Sequence, residues 1–176
     1  SAASDVYKRQ SFDLVTKEVS TISDIFGVPD KARTLNDELT GQVKDLTSQA
    51  SKDSQHSAAA LWVEPGNSGF YTYGTSSMVQ PILEANGLRN VYDGERKRVF
   101  DATMEDVLNR DPEWIVLLAQ EGDIAKTKPA FLKYKGASQL QAVRKNQVVV
   151  IPFSLTDPPT PQSIKGAVEL NKLLKK

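Results

Sequence analysis

Three short apolar runs, each bounded by breakers and separated by amphipathic segments, constrain this chain most. Ala58-Ala59-Ala60-Leu61-Trp62-Val63 stops at Glu64-Pro65-Gly66. Trp114-Ile115-Val116-Leu117-Leu118 starts after Asp111-Pro112-Glu113, and Val148-Val149-Val150-Ile151 stops at Pro152. An apolar run without alternation suits a strand covered on both faces. The intervening segments have helical spacing: Met78, Ile82 and Leu83 before Gly87; Met104, Val107 and Leu108 before Asp111-Pro112; Ile164, Ala167, Val168, Leu170, Leu173 and Leu174 at the end. Buried strands alternating with amphipathic helices predict an α/β fold. The expected form is a three-layer α/β/α, Rossmann-like lobe with a mainly parallel sheet and right-handed crossovers. The 176 residues suffice for about one such domain.

The part before residue 58 reads differently. Residues 1–10 show neither an amphipathic period nor the basic-then-apolar order of a secretory signal, and read as a junction or disordered segment. Val15, Val19, Ile22 and Phe26 then recur at spacings of four, three and four, predicting a helix with one buried face. Gly27 occupies a C′ position and Pro29 an N1 position, so one helix ends and another begins there. Ala32, Leu35, Leu39, Val43 and Leu46 continue the period over 29–49, a helix ~30 Å long. Its narrow apolar stripe suits a strut along one side of a fold. Half of a helical hairpin is the alternative. Ser51 to Ser57 reads as a polar linker, with His56 as a surface residue in it.

Several function classes are excluded by composition. Lys and Arg number 22, as do Asp and Glu, so no net field gathers nucleic acid or anionic lipid. Cysteine is absent and His56 is the single histidine, which rules out thiolate chemistry and any multi-histidine metal site. No phosphate-binding glycine loop, dinucleotide fingerprint or nucleophile elbow is present. In open α/β sheets ligands bind beyond the carboxyl ends of the strands, here residues 64–74, 120–124 and 153–161. The first of these reads as a loop carrying Phe70, Tyr71 and Tyr73 among small residues, with Thr75-Ser76-Ser77 opening a helix whose free N–H groups suit an anion. Exposed rings there suit a large, partly apolar ligand; a ring that caps the core is the competing reading. In the last segment Phe153, Thr156 and Asp157 are candidate contacts, against a simple rigid exit into the final helix. An α/β hydrolase-like or carbohydrate-acting enzyme using strand-end carboxylates such as Glu64 and Glu121 is the alternative function.

From Trp62 onward the order of motifs resembles the carboxyl-terminal lobe of the iron-siderophore/cobalamin class of ABC-transporter substrate-binding proteins. Gly74-Thr75-Ser76-Ser77 followed by Ile82-Leu83-Glu84-Ala85-Asn86-Gly87-Leu88-Arg89-Asn90-Val91 is similar to the family's glycine-serine helix start and asparagine-valine close. Leu88 departs from it where the family often has a second glycine. Thr103-Met104-Glu105-Asp106-Val107-Leu108 resembles its Ser-x-Glu helix, and Asn109-Arg110-Asp111-Pro112-Glu113-Trp114-Ile115-Val116 its Asn-Pro-Asp strand entry. Leu140-Gln141-Ala142-Val143-Arg144-Lys145-Asn146-Gln147-Val148 resembles its turn into the last strand, and the helix from Pro29 its rigid interlobe helix.

The resemblance implies a division into a junction (1–10), a remnant helix of an amino-terminal lobe (11–27), an interlobe helix (28–50) and a carboxyl-terminal lobe (58–176). Most of the amino-terminal lobe, with its lipobox or signal peptide, is expected to be missing. It further implies a binding protein without catalysis or resident cofactor. A ferric siderophore, haem or cobalamin would bind between two lobes and pass to an ABC permease at the periplasmic or extracellular face of the cytoplasmic membrane. Nucleic acid is no partner, and the membrane is reached only through the missing anchor and the permease. Tyr71 and Gly74 match ligand-facing positions of the family; Tyr73, Phe100, Thr156 and Asp157 are added as candidate contacts. Glu105 matches the position that pairs with permease arginines, and a simple first-turn acid is its other reading.

Overall fold

The alanine-rich run becomes the central strand of a six-stranded sheet. The computed structural model describes residues 11–50, 55–64, 69–156 and 159–175; the junction expected at 1–10 lies outside them. Two helices come first, α1 (Phe12–Phe26) and α2 (Pro29–Ala50), then β1 (His56–Val63), β2 (Phe70–Tyr73), α3 (Val79–Ala85), β3 (Leu88–Asn90) and β4 (Val99–Ala102). The second half runs α4 (Met104–Arg110), β5 (Trp114–Ala119), α5 (Ile124–Leu132), α6 (Gln141–Arg144), β6 (Val148–Pro152) and α7 (Pro161–Leu174).

β1 is paired along both edges. One edge takes β5 in parallel, from Ala58 opposite Trp114 to Trp62 opposite Leu118, and β5 takes β6 in the same sense. The other edge is shared. β3 pairs in parallel with the first residues of β1, and β2 pairs antiparallel with the last three, Trp62 lying opposite Tyr71. β4 pairs antiparallel with β2. The α/β fold is as expected, but the sheet is mixed. The difference arises in residues 64–74, read from sequence as a single loop. Phe70-Tyr71-Thr72-Tyr73 is a run of aromatic and β-branched residues with strong strand preference. An antiparallel return needs only a short connection, whereas a parallel partner needs a full crossover.

Successive β1 residues face opposite layers, and both layers are covered, so no polar residue is tolerated between them. Ala58 and Ala60 join Val116, Leu118 and Ile151 beneath α2, α3 and α7, which contribute Leu46, Ile82, Leu83, Ala167 and Leu170. Ala59, Leu61 and Val63 join Ile115 and Leu117 on the other side, beneath Val107, Phe131, Leu140 and Ala142. Leu61, Ile115 and Leu117 are fully buried, each worth ~1.5–3 kcal/mol relative to exposure.

α2 is one unbroken helix of 22 residues that buries Ala32, Leu39 and Leu46. The apolar stripe of α1 is only half used. Val15 is fully buried against Leu39, Met78 and Ile164, but Ile22 is 53% exposed and Phe26 75%. Ile25 and Val28, at the turn between α1 and α2, are exposed as well. Gly27 closes α1 as expected, with φ of 68° and its N–H donating to the Asp24 carbonyl.

His56 is a surface residue as expected, with 44% of its side chain exposed, but it belongs to a strand and not to the polar linker. It is the first residue of β1, half-buried, with Nδ1 3.1 Å from Glu113 Oε1. Beside it the Ser57 N–H donates to Glu113 Oε2 at 2.8 Å, and the Glu113 N–H donates back to Ser57 Oγ at 3.0 Å. This clasp locks the start of β1 to the entry of β5. The Ser57 N–H, with help from His56, holds the Glu113 carboxyl below the usual carboxylate range. A carboxylate whose folded pKa is depressed contributes stability that is present above its unfolded value and lost as pH falls through the folded one. Glu113→Gln is therefore expected to lower stability near neutral pH by about 1 kcal/mol, the pair being partly solvated. The gap from the unsubstituted chain should narrow steadily below about pH 4.5. Urea midpoints measured across pH 3–8 check this; a gap of constant size would show that the charge of Glu113 contributes nothing.

Candidate ligand-binding groove

The carboxyl ends of β1, β5 and β6 emerge on one edge of the sheet, and β2 returns along it. Because Trp62 and Tyr71 are direct cross-strand partners, their side chains share a face. Phe153, in the 3₁₀ turn after β6, meets Trp62 edge-on at 4.8 Å between ring centroids. Tyr71, Tyr73, Arg98, Val99 and Gln120 line the same groove as these two rings, which has a volume of about 370 Å³.

Alternation along β2 decides which rings are available. Phe70 turns to the opposite layer and is buried against Tyr134 at 4.6 Å and Phe131 at 5.9 Å. Thr72 follows it, its hydroxyl donating to the Ala60 carbonyl. Tyr71 faces the groove and is 45% exposed, whereas Tyr73 lies one step deeper, 4% exposed, lining the groove while packing into the core beneath α3. Of the three aromatics, then, one caps the core, one is open and one does both.

Gly74 serves the groove through its backbone. A methyl group there would collide with the carbonyl oxygens of Glu95 and Lys97. Its N–H donates to the Arg98 carbonyl at 3.3 Å, and the Thr75 N–H donates to that of Glu95 at 2.9 Å. The glycine thus lets the 95–98 turn lie flat against the end of β2, which brings Arg98 and Val99 to the rim. The following segment does not open a helix at Thr75: α3 starts at Val79, whose N–H is taken by Ser77 Oγ.

The remaining candidates fall elsewhere. Phe100 is paired with Thr72, on the opposite face of the sheet, and its ring meets Tyr92 edge-on at 5.6 Å. Thr156 is fully buried; its N–H and hydroxyl both donate to the Phe153 carbonyl, at 2.9 and 2.7 Å, so it shapes the turn that carries Phe153. Asp157 lies outside the described residues. Glu105 sits in the exposed first turn of α4. Of the carboxylates considered for catalysis, Glu121 accepts a hydrogen bond from Ser154 at 3.1 Å and Glu64 is exposed.

Trp62, Arg98, Val99 and Gln120 are the lining residues that motif reading passed over. Trp62 was absorbed into a buried strand, although a large amphipathic ring at a strand's exit is a recognisable signal. Arg98 ends the run Arg96-Lys97-Arg98 immediately before the alternating Val99-Phe100-Asp101-Ala102, which marks a cation at the mouth of a strand. The groove offers ring faces, phenol groups, a guanidinium and an amide. Among the described residues no three His, Asp or Glu side chains gather in a metal-holding group.

The profile of a family described as periplasmic binding protein matches residues 5–155. No curated protein matches the chain significantly. Among solved structures, the ABC-type Fe3+-hydroxamate transport system from Saccharomonospora viridis is 36% identical, with a TM-score of 0.88 over 96% of this chain and 58% of that one. The haem complex of IsdE from S. aureus is 22% identical, with a TM-score of 0.78 over 97% and 67%. The vitamin B12 binding protein BtuF of Vibrio cholerae is 17% identical, with a TM-score of 0.76 over 96% and 63%. The last two show the shared fold. The chain spans 58% of the hydroxamate protein's length. It belongs to the periplasmic binding protein family, solute-binding proteins of the periplasm or the outer face of the cytoplasmic membrane.

Proposed function

We propose that the chain is the carboxyl-terminal lobe and interlobe helix of an ABC importer's substrate-binding protein, and that its aromatic groove is half of a site for a ferric hydroxamate or related metal chelate. One observation carries the reading: the groove lined by Trp62, Tyr71, Arg98 and Phe153 opens at the sheet edge where α/β folds bind ligands. The 36% identity to the hydroxamate transport protein supports the choice of chelate.

The mechanism is binding without chemistry. A ferric chelate arrives with its metal already ligated, so the protein recognises the outside of the complex. Ring faces of Tyr71 and Trp62 take its apolar arms by dispersion and desolvation. The Arg98 guanidinium and the Gln120 amide donate to its oxygens, the guanidinium with planar, charge-assisted geometry. In this reading residues 11–27 are the remnant helix of an amino-terminal lobe, 28–50 the interlobe helix and 58–176 the bound half. α2, a rod of roughly 33 Å at 1.5 Å per residue, restrains the two halves to small closure. The loaded protein then docks on the permease through Glu105, and ATP is hydrolysed elsewhere.

In the complete protein, Tyr71→Ala and Arg98→Ala are each expected to weaken a ferric trihydroxamate by about 1–3 kcal/mol, the scale of a central anchor. Intrinsic-fluorescence titration measures this, and unchanged affinity for both would remove the groove from the binding site. Gly74→Ala should destabilise the lobe by about 1–3 kcal/mol through overpacking and weaken the same ligand by displacing the turn that carries Arg98. Chemical denaturation and titration of the one variant test both effects. Glu105→Arg should keep chelate affinity and reduce uptake; undiminished uptake would remove the docking role.

A further inference from the structure

α4 has only seven residues, too few to be stable by helix propensity alone; Val107 anchors it in the core, with Met104 and Leu108 packed partly against the same cluster. A group of polar contacts fixes its orientation on that core. The Thr103 hydroxyl caps the helix by accepting from the Asp106 N–H. Asp106 Oδ2 accepts from the Tyr92 hydroxyl at 2.8 Å, and Oδ1 from Arg110 Nε at 3.3 Å. Arg110 donates through Nη1 to the Val91 carbonyl at 2.7 Å, and its guanidinium lies 4.4 Å over the Tyr92 ring. Tyr92 is 1% exposed. Burial, then the neighbouring Asp106, pushes its hydroxyl well above the ordinary phenol range, so it remains a donor. Both turns of α4 are therefore fastened to the segment just after β3.

Two acids stand side by side in that first turn, and they are used differently. Asp106 is engaged on both oxygens. Glu105, about 100° further round the helix, is exposed and has no hydrogen-bond or ion-pair partner among the described residues. We propose that Tyr92, Asp106 and Arg110 act as a clamp of positioning residues that fixes the direction in which Glu105 is presented to the permease. The proposal rests on the docking reading of Glu105. Asp106 absorbs the local cation, leaving Glu105 uncompensated for a partner's guanidinium. Tyr92 sets the height of the helix on the sheet. The clamp lies on the face of the sheet opposite the groove, so it acts on docking and not on chelate binding.

The test uses the complete protein with its permease in proteoliposomes and a ferric trihydroxamate as ligand. It reads the protein concentration giving half-maximal ATPase stimulation beside the chelate Kd and the melting temperature. Tyr92→Phe, which keeps the ring and the Arg110 stack, and Asp106→Asn should each raise the half-maximal concentration roughly 3- to 10-fold, with the Kd unchanged. Arg110→Lys, which loses the planar fork, should do the same. Adding Tyr92→Phe to Glu105→Gln should bring no further loss, because both act through one contact. If Glu105→Gln alone leaves stimulation unchanged, the docking reading falls and the clamp with it. If Glu105→Gln weakens stimulation while Tyr92→Phe and Asp106→Asn do not, or if the double variant is fully additive, the clamp alone is overturned.

Discussion

The antiparallel return of β2 along the last three residues of β1 is the contact on which the groove depends. It places Tyr71 opposite Trp62, turns Phe70 into the opposite core and brings Gly74 against the 95–98 turn. A slip of one residue would exchange the two faces of β2, burying Tyr71 and exposing Phe70. The register is held because Phe70 has a fully formed aromatic pocket to enter and Thr72 a carbonyl to satisfy. The geometry of the groove is thus set by packing on the opposite face of the sheet.

The same division runs through the rest of the lobe. Leu61, Ile115 and Leu117 anchor the sheet from one side, Ala58, Ala60 and Val116 from the other, and the strands can then end in polar or aromatic residues without loss of the core. Thr156 and Gly74 support the rim through backbone hydrogen bonds and close approach. Such residues shape the groove without lining it. At the opposite end of β1 the Ser57–Glu113 clasp ties that strand to the entry of β5.

Much of the architecture was legible from local pattern. Unalternated apolar runs at 58–63, 114–118 and 148–151 announced strands with two covered faces, and the stripe from Ala32 to Leu46 announced a long single helix. The spacing of Met104, Val107 and Leu108 announced α4. Pattern failed where a segment's environment lies beyond its own residues. Ile22 and Phe26 share a helical stripe with Val15, yet only Val15 has an element to pack on. His56 looked like part of a polar linker because Glu113, which pulls it into β1, is 57 residues away in sequence.

What the sequence determined alone was the layering, the long helix and the family likeness, because those follow from the period of apolar residues and the order of turns along the chain. Which side chains form the groove was decided by the fold. Tyr71 and Tyr73 differ by two residues and share a face, yet one is open and the other nearly buried. Phe100 and Val99 are neighbours on opposite faces. Arg98 reaches the rim because a glycine two dozen residues earlier leaves room for its turn. Face and depth are properties of register between strands far apart in sequence, and no local period encodes them.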